Sequence, residues 1–313
     1  MSNKSFPPLF LERLEKIIPR DLFVSTLSSM KAPEVVVLRV NTLKSSFDEV
    51  GPRLSREGFS VERSVVCPQA IVLPSQERER LRGHAFISDG KVYHQGLSSQ
   101  LPALVLSPCP GESVLDLCAA PGSKTTQMAA MMSNEGAITA VEIVRGRFYK
   151  LKAVCELLGA KNVRPVLCDG RRFRSGDLFD RVLVDAPCSS EGLFREGDPE
   201  SFGYWSPRKV KEMAHKQKGL LRHAARFVRP GGRLLYSTCT FSPEENESVV
   251  DWFLKGDEGG FFLEPIALEG VPRYPCLATW EKRSFLSDIS ACLRVLPREG
   301  FSGFFLAQFR RRS

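Results

Sequence analysis

Several common kinds of functional site are missing from this sequence of 313 residues. It contains no Cys-x-x-Cys pair and only four histidines, scattered along the chain, so we expect no metal site. No stretch approaches the roughly 18 apolar residues of a membrane helix, and residues 1–8 lack the apolar core of a signal peptide. These absences predict a cytoplasmic protein that binds no metal and does not enter a membrane.

The composition indicates a basic, intracellular chain. Lysine and arginine number 44 against 36 acidic residues, and the net charge of +8 suits a polyanionic partner such as nucleic acid. The surplus is modest, and a solvated basic surface that binds nothing has the same composition. The nine cysteines show no disulfide-scaffold spacing, which is typical of a reducing compartment. We expect a monomer.

The apolar pattern divides the chain into two α/β domains. Residues 1–90 have the size of an RNA-recognition (RRM-like) domain without its aromatic stacking motif, so we expect them to bind RNA mainly by charge. In residues 91–313 strands alternate with helices, which predicts a mostly parallel sheet. The predicted elements of the first domain are a helix over 8–18, a strand over 35–40, a helix over 46–57 and strands over 61–66 and 70–73. In the second domain, the predicted elements include helices over 145–158 and 207–228 and a hairpin formed by 292–297 and 304–309.

Two cysteines stand where predicted strands give way to loops. Residues 181–184 lead to Cys188 and residues 233–236 lead to Cys239, and both runs are typical of short buried strands. Because the carboxyl ends of parallel strands meet at one edge of a sheet, both thiols should face the same cleft. A single free cysteine is more often a buried structural residue. Two thiols in one cleft instead indicate covalent catalysis.

A helix is predicted close to the second thiol. Residues 242–245, Ser-Pro-Glu-Glu, match a capping box with proline at the first helical position, so we expect a helix that begins at Pro243. The N-terminus of a helix lowers the pKa of a nearby thiol. This helix would therefore favour the ionised form of Cys239.

A nucleoside-binding crevice is predicted at the same sheet edge. Residues 113–128 are typical of a strand, a loop of small residues and a helix N-terminus, without the Gly-x-Gly-x-x-Gly pattern of an NAD-dependent dehydrogenase or a phosphate loop. Later strands end in Glu142 and Asp169; one such acid is often a solvated cap, but acids at several neighbouring strand ends suit ribose and adenine. S-adenosyl-L-methionine, a nucleoside with an amino-acid tail, fits this crevice. The loop residues expected to line it are Cys118, Ala119, Ala120, Pro121, Gly122, Ser123 and Lys124.

Three segments carry a resemblance to a known family. Residues 119–125 resemble its cofactor motif, residues 185–189 its fourth motif and residues 237–240 its sixth. This is the Sun/Nop/RsmB-type family of RNA cytosine-C5 methyltransferases, and the sequence is most similar to its bacterial small-subunit rRNA branch. The resemblance covers nearly the whole chain. It departs at Ser123 and Ser190, where the family more often has glycine.

The resemblance implies a class I (Rossmann-like) methyltransferase with a mostly parallel seven-stranded sheet, preceded by the RRM-like domain. The implied reaction moves a methyl group from S-adenosyl-L-methionine to C5 of a cytosine in RNA, with rRNA favoured over tRNA. Cys239 would attack the base and Cys188 would release the adduct, an assignment that spacing alone leaves open. Lys124 would lie near the base, Glu142 would hold the ribose and Asp169 the adenine.

The chemistry requires one more group. C5 of cytosine is too electron-poor to attack a methyl sulfonium, so a thiolate must first add at C6. Proton transfer to ring nitrogen N3 helps this addition, and Asp185, just before Cys188, is placed to supply the proton as well as to border the cofactor.

Some interpretations remain open at this stage. Arg147 either braces Glu142 or is a solvated helix residue, and the aromatic side chains of residues 189–206 either stack RNA bases or pack that loop down. A non-catalytic ribosome-assembly factor is the rival function, which the intact set of Cys188, Cys239, Asp185 and Lys124 disfavours. The sequence does not identify the target nucleotide.

Overall fold

The computed structural model describes residues 5–256 and 260–313. Residues 1–4, which belong to the segment predicted to lack a signal peptide, lie outside this range. The described chain opens with helix α1, Pro8–Ile17. This helix confirms the prediction, because Phe10, Leu14 and Ile17 on its apolar side are buried. It ends before Pro19 and packs on the second half of the chain through Phe194 and Trp205.

A second helix, α2 (Arg20–Lys31), is absent from the sequence-based prediction. Pro19 ends α1, but it also occupies the N-cap position of α2. Only Thr26 and Met30 of this helix are buried, so the apolar period that would reveal it is weak.

A small antiparallel sheet follows, made of β1 (Val36–Val40), β2 (Glu62–Arg63), β3 (Ala70–Leu73) and β4 (Val92–His94) in the order β2-β3-β1-β4. Helix α3, Phe47–Arg56, begins at the predicted cap, where the Ser46 hydroxyl accepts a hydrogen bond from the Glu49 amide at 3.2 Å. Strand β2 is shorter than predicted, because the chain turns towards β3 and leaves Val65 91% exposed. Strand β4 belongs to this sheet although it follows residue 90, where the sequence predicts the boundary between the two domains. That boundary stays a prediction.

The described residues of the second half of the chain form a sheet of nine strands, two more than predicted. The five parallel strands are β5 (Ser113–Asp116), β6 (Ala137–Glu142), β7 (Val163–Leu167), β8 (Phe179–Asp185) and β9 (Val228–Thr238), in the order β7-β6-β5-β8-β9. The antiparallel strands are β10 (Phe261–Glu264), β11 (Arg273–Tyr274), β14 (Leu293–Val295) and β15 (Phe304–Arg311). Strand β15 lies against β9, and β14 pairs with β15, which confirms the predicted hairpin. A separate hairpin joins β12 (Thr279–Trp280) and β13 (Arg283–Ser284).

Helices cover both faces of this sheet, and apolar side chains of the strands pack beneath them. The longer helices are α6 (Leu97–Leu106), α7 (Ser123–Met131), α8 (Arg145–Leu158), α9 (Pro207–Ala225) and α10 (Glu247–Lys255). Two short helices, α4 (Arg78–Leu81) and α5 (Ala85–Ser88), lie earlier in the chain, between β3 and β4. Helix α8 has the predicted bounds and ends at Gly159, whose φ of +70° favours glycine. Helix α9 ends earlier than predicted, because Val228 already belongs to β9.

The predicted start of α10 at Pro243 is wrong. The helix begins at Glu247, and its N-cap residue Asn246 makes no side-chain cap hydrogen bond. The Ser242 hydroxyl, which a capping box would use, instead donates to Glu191 at 2.7 Å. A tertiary hydrogen bond has therefore replaced the local one.

Candidate active site

The two predicted thiols meet at the carboxyl edge of the parallel sheet. Strands β8 and β9 are paired in parallel with Asp185 opposite Ser237, so Cys188 and Cys239 leave the sheet side by side. Their sulfur atoms are 3.3 Å apart, within hydrogen-bond distance for sulfur. The strand-end argument from the sequence therefore locates both residues correctly relative to each other.

The two thiols differ in acidity. The hydrogen bond from Cys188 is the largest cause that lowers the pKa of Cys239 below the ordinary value of a thiol. The same contact, together with burial, raises the pKa of Cys188 well above that value. The helix that was expected to favour this ionisation, α10, starts at Glu247, further along the chain than predicted. Cys239 is thus the thiol that ionises first, with Cys188 donating to it.

Asp185 and Lys124 form an ion pair beside the thiols. The Lys124 Nζ lies 2.7 Å from Asp185 Oδ2 and donates to the Ser99 hydroxyl at 3.2 Å. The Ser237 hydroxyl donates to the other carboxylate oxygen of Asp185 at 2.7 Å. Both oxygens of this carboxylate are therefore held by donors, and the lysine is fixed close to the reacting groups.

The acid at the end of β6 is braced from two sides. Buried Glu142 accepts a hydrogen bond from the Val144 amide at 2.8 Å, and its other oxygen lies 3.7 Å from the Arg147 guanidinium. Arg147 also donates to the Ala120 carbonyl at 2.5 Å. Of the two interpretations of Arg147, the structure favours the bracing one.

Asp169 follows β7 and is held by Arg171. The guanidinium of Arg171 lies 2.6 Å from Asp169 Oδ2, and this hydrogen bond is the largest cause that lowers the pKa of Asp169. Asp169 also accepts the Arg171 amide hydrogen at 2.9 Å. The carboxylate is consequently ionised and pre-oriented at the edge of the sheet.

One cavity of about 520 Å³ brings most of the predicted residues together. Gly170 also lines it, and a side chain there would meet the Leu117 carbonyl at 2.9 Å, so the backbone itself forms this wall. Burial raises the pKa of Cys118 well above the ordinary range, which makes it a neutral thiol. The predicted residues that line the cavity are Cys118, Ala120, Glu142, Asp169, Asp185, Cys188 and Cys239.

The other residues of the predicted loop do not line the cavity. Gly122 has a φ of +111°, and a side chain there would meet Leu151 at 3.0 Å, which explains the need for glycine at the start of α7. Lys124 reaches the site through its contact with Asp185. The predicted residues that do not line the cavity are Ala119, Pro121, Gly122, Ser123 and Lys124.

Several residues of the site are absent from the sequence-based prediction. Met213 and Lys216 project from α9 into the cavity, although nothing in their local sequence marks them. Ser190 also lines the cavity and lies beside both thiols. Its departure from the glycine expected there by resemblance is the one signal that points to it.

The aromatic residues of the loop between β8 and α9 are mostly structural. Phe194, Phe202 and Trp205 are buried against the rings of Phe6 and Phe10. Of the two interpretations of this loop, packing is therefore correct for these three rings. Tyr204 differs from them, since 52% of it is exposed.

The match to known proteins agrees with this geometry. The profile of the family described as 16S rRNA methyltransferase RsmB/F matches residues 103–310. The chain belongs to the RsmB/F family. A second profile, the ferredoxin-like domain of RsmF/B-like methyltransferases, matches residues 6–78. The resemblance seen in the motifs is confirmed.

The RsmB/F relatives are similar along nearly the whole chain. Ribosomal RNA small subunit methyltransferase F of Escherichia coli O127:H6 is 35% identical over 324 aligned residues, which cover 98% of this chain and 63% of that protein. The chain thus spans less than two thirds of the length of this relative. A methyltransferase homologue from Pyrococcus horikoshii has a crystal structure that is 29% identical, with a TM-score of 0.79 over 98% of this chain and 100% of that one. NSun6 of the same organism, solved with SFG, is 23% identical with a TM-score of 0.84 over 99% of each chain, and this likeness confirms the predicted fold class.

Two predicted absences concern metals and membranes. Within residues 5–256 and 260–313 of this RsmB/F chain, no three His, Cys, Asp or Glu side chains are grouped so as to hold a metal ion. In the same described residues, no helix combines the length and the apolar composition that a membrane span requires.

The buried carboxyl group of Glu245, near the two thiols, leads to a prediction about how the stability of the protein depends on pH. Burial, and next the charge of Glu191, raise the pKa of Glu245 to about 8. The folded state therefore keeps a proton that the unfolded chain releases above about pH 4.3, so the contribution of this group to stability is greatest below that pH and is lost as the pH rises towards 8. We expect Glu245→Gln to remove a slope of up to about 1.4 kcal/mol per pH unit in this window. Urea denaturation between pH 5 and 8 measures it.

The control for this experiment is Glu135→Gln, a change at an exposed glutamate, which should keep the wild-type slope. Burial raises the pKa of Asp116 to about 7, so part of the slope should persist in Glu245→Gln. Equal slopes for wild type and Glu245→Gln would show that Glu245 is ionised in the folded protein.

Proposed function

We propose that this protein is an S-adenosyl-L-methionine-dependent RNA methyltransferase that makes 5-methylcytosine, with rRNA as its substrate. The observation that carries the proposal is the pair of thiols, 3.3 Å apart, lining the same cavity as Glu142, Asp169 and Asp185. Membership of the RsmB/F family and the name of the E. coli relative support the reaction class and the choice of rRNA. All nine cysteines are free, which supports a place in the reducing cytoplasm.

The cavity residues fit S-adenosyl-L-methionine. Glu142, braced by Arg147, offers a carboxylate to the ribose hydroxyls, and Asp169 offers one to the adenine amino group. Gly170 packs closely against Leu117 in the cavity wall, where a Cβ would meet the Leu117 carbonyl at 2.9 Å. When bound, this cofactor supplies the methyl group. Cys118, Ala120 and Asp185 border its amino-acid end.

Cys239 is the nucleophile in this proposal. Its thiolate forms a bond to C6 of the cytosine, and the electron pair displaced from the C5–C6 double bond makes C5 reactive. The Lys124 and Asp185 pair faces the base edge and provides the proton that neutralises N3. Because the contact with Cys188 lowers the pKa of Cys239, the thiolate of the nucleophile forms more readily than that of an ordinary thiol.

Cys188 acts when the product leaves. After methylation the C5 proton passes to solvent, the electron pair of the C5–H bond restores the C5–C6 double bond, and the bond from C6 to Cys239 breaks with its electron pair going to sulfur. The proton on N3 returns to the Lys124 and Asp185 pair, so that neutral 5-methylcytosine is released. The departing sulfur regains its negative charge next to the Cys188 thiol, which lies 3.3 Å away and can donate to it. This contact stabilises the leaving group and so speeds elimination.

Nucleoside analysis tests the proposed reaction. The purified chain, S-adenosyl-L-methionine and either an rRNA or a tRNA transcript are incubated, and the RNA is digested for mass spectrometry. We expect 5-methylcytidine in the rRNA sample. If only the tRNA transcript were methylated, the substrate would be tRNA and not rRNA. RNA binding without any methylated nucleoside would overturn the proposal in favour of a non-catalytic assembly factor.

Binding of the cofactor should depend on Glu142. Glu142→Ala removes a charged hydrogen-bond acceptor for the ribose, and we expect binding of S-adenosyl-L-methionine to weaken by about 1 to 3 kcal/mol. Titration calorimetry measures the change. Glu156→Ala, at an exposed position of α8, is the matched control and should bind like wild type. Unchanged affinity in a folded Glu142→Ala protein would remove Glu142 from the site.

The N-terminal domain, residues 1–90, is the RNA-binding part of this proposal, supported by the ferredoxin-like match, and the net charge of +8 of the whole chain supports binding driven by charge. Charge-driven binding releases counterions, so the logarithm of the affinity should fall linearly with the logarithm of salt concentration, by about 0.7 for each phosphate contacted on a single strand. Filter binding over a salt series checks this. A flat dependence would mean that the basic surplus plays no part.

A further inference from the structure

Ser190 places a hydroxyl group beside the two thiols. Its Oγ accepts a hydrogen bond from the Cys239 thiol at 3.6 Å and lies 3.9 Å from the sulfur of Cys188. The backbone of Ser190 is in the left-handed region with a φ of +59°, just after Cys188, and this turn aims its side chain back towards the cavity. The residue is half-buried, so its hydroxyl is partly removed from water.

We propose that Ser190 is a further catalytic residue, whose hydroxyl donates a hydrogen bond to the thiolate of Cys239. A thiolate carries no proton, so the hydroxyl must be the donor when Cys239 is ionised. Hydrogen bonds to a charged acceptor are stronger than neutral ones. Ser190 and Cys188 thus form two donors around one sulfur, and this donor pair holds the charge of the nucleophile.

The neighbouring serine shows that this arrangement is specific to position 190. The Ser189 hydroxyl is fully buried and shares a 2.7 Å hydrogen bond with Thr240, away from the thiols. Ser190 instead has the thiols and the phenol of Tyr204 as partners.

The electrostatic surroundings of Cys239 agree with a role for this donor. The contact with Ser190 lowers the pKa of Cys239, as the hydrogen bond from Cys188 does to a larger extent. Burial and the charge of Asp185 raise it, and Lys124 lowers it. All of these groups remain in a Ser190 variant. A change in the titration of Cys239 therefore reports on the hydroxyl.

The Cys239 thiol reports this effect without RNA. Its tryptic peptide, residues 234–255, contains no other cysteine, so mass spectrometry can follow its alkylation by iodoacetamide alone. In Ser190→Gly and Ser190→Ala we expect alkylation about tenfold slower at pH 7, converging with wild type as the pH is raised. Glycine suits the backbone at this position and alanine keeps the Cβ, so a shared effect belongs to the hydroxyl. Ser189→Ala is the control and should titrate like wild type.

The catalytic consequence rests on the proposed function. In methylation assays, the acid limb of kcat/KM should move to higher pH in Ser190→Gly, while affinity for S-adenosyl-L-methionine stays unchanged. Unaltered alkylation in both Ser190 variants, or a change in only one of them, would overturn the role of the hydroxyl. A wild-type protein that makes no 5-methylcytidine would instead overturn the proposed function, and the alkylation comparison would still decide the inference about Ser190.

Discussion

Cys239→Ala is expected to abolish methylation and to leave no covalent complex with RNA. Without the thiolate nothing adds to C6, and C5 never becomes reactive enough to take the methyl group. Loss of a covalent nucleophile costs several orders of magnitude in rate, because the remaining groups act through it. Transfer of a labelled methyl group to RNA measures the loss. RNA and S-adenosyl-L-methionine should still bind, since Cys239 contributes to catalysis rather than to affinity.

The matched control is Cys109→Ala, which removes an exposed cysteine outside the cavity and should keep full activity. Circular dichroism of both variants checks that each is folded. Methylation that survives in folded Cys239→Ala would show that another group attacks the base.

Cys188→Ala should have the opposite signature, an RNA adduct that accumulates and survives denaturation. Attack and methyl transfer remain possible, but the departing sulfur loses the donor that lies 3.3 Å away in the wild type. The same change also removes the main cause of the lowered pKa of Cys239, so attack should slow at neutral pH. Reactions at about pH 8.5, near the ordinary pKa of a thiol, restore the thiolate. A denaturing gel with labelled RNA then shows the adduct as a retarded band.

Cys118→Ala is a useful comparison for this experiment, because it removes another thiol of the same cavity that is not paired with Cys239. It should give no retarded band. If the band builds up in Cys239→Ala and is absent in Cys188→Ala, the roles of the two cysteines are reversed.

The sequence predicted the parts of this site that depend on strand ends. Parallel strands bring their carboxyl ends to one edge, so buried β runs followed by Cys188, Cys239 and Glu142 were enough to place these side chains in one cleft. Helix α8 was predicted with its correct bounds because a regular pattern ends there at Gly159, a local signal. These features follow from periodicity and turn chemistry, which are properties of short segments.

Features that depend on tertiary contacts escaped prediction. Ser242 looks like a helix cap, but Glu191 takes its hydroxyl, and α10 starts later. The loop aromatics look like stacking platforms until Phe10 is found packed against Phe194 and Trp205. The role proposed for Ser190 depends on its contact with Cys239, which follows another strand. In each case the decisive partner is distant in sequence, and no local pattern encodes it.

Peptide mapping of the trapped complex tests the central claim most directly. Cys188→Ala protein, RNA and S-adenosyl-L-methionine are incubated, denatured and digested with trypsin and nuclease. The proposed mechanism predicts a nucleotide attached to Cys239 in the peptide of residues 234–255, heavier by one methyl group than unmodified cytidine monophosphate. A nucleotide on any other cysteine, or methylated RNA without a covalent complex, would contradict attack by Cys239.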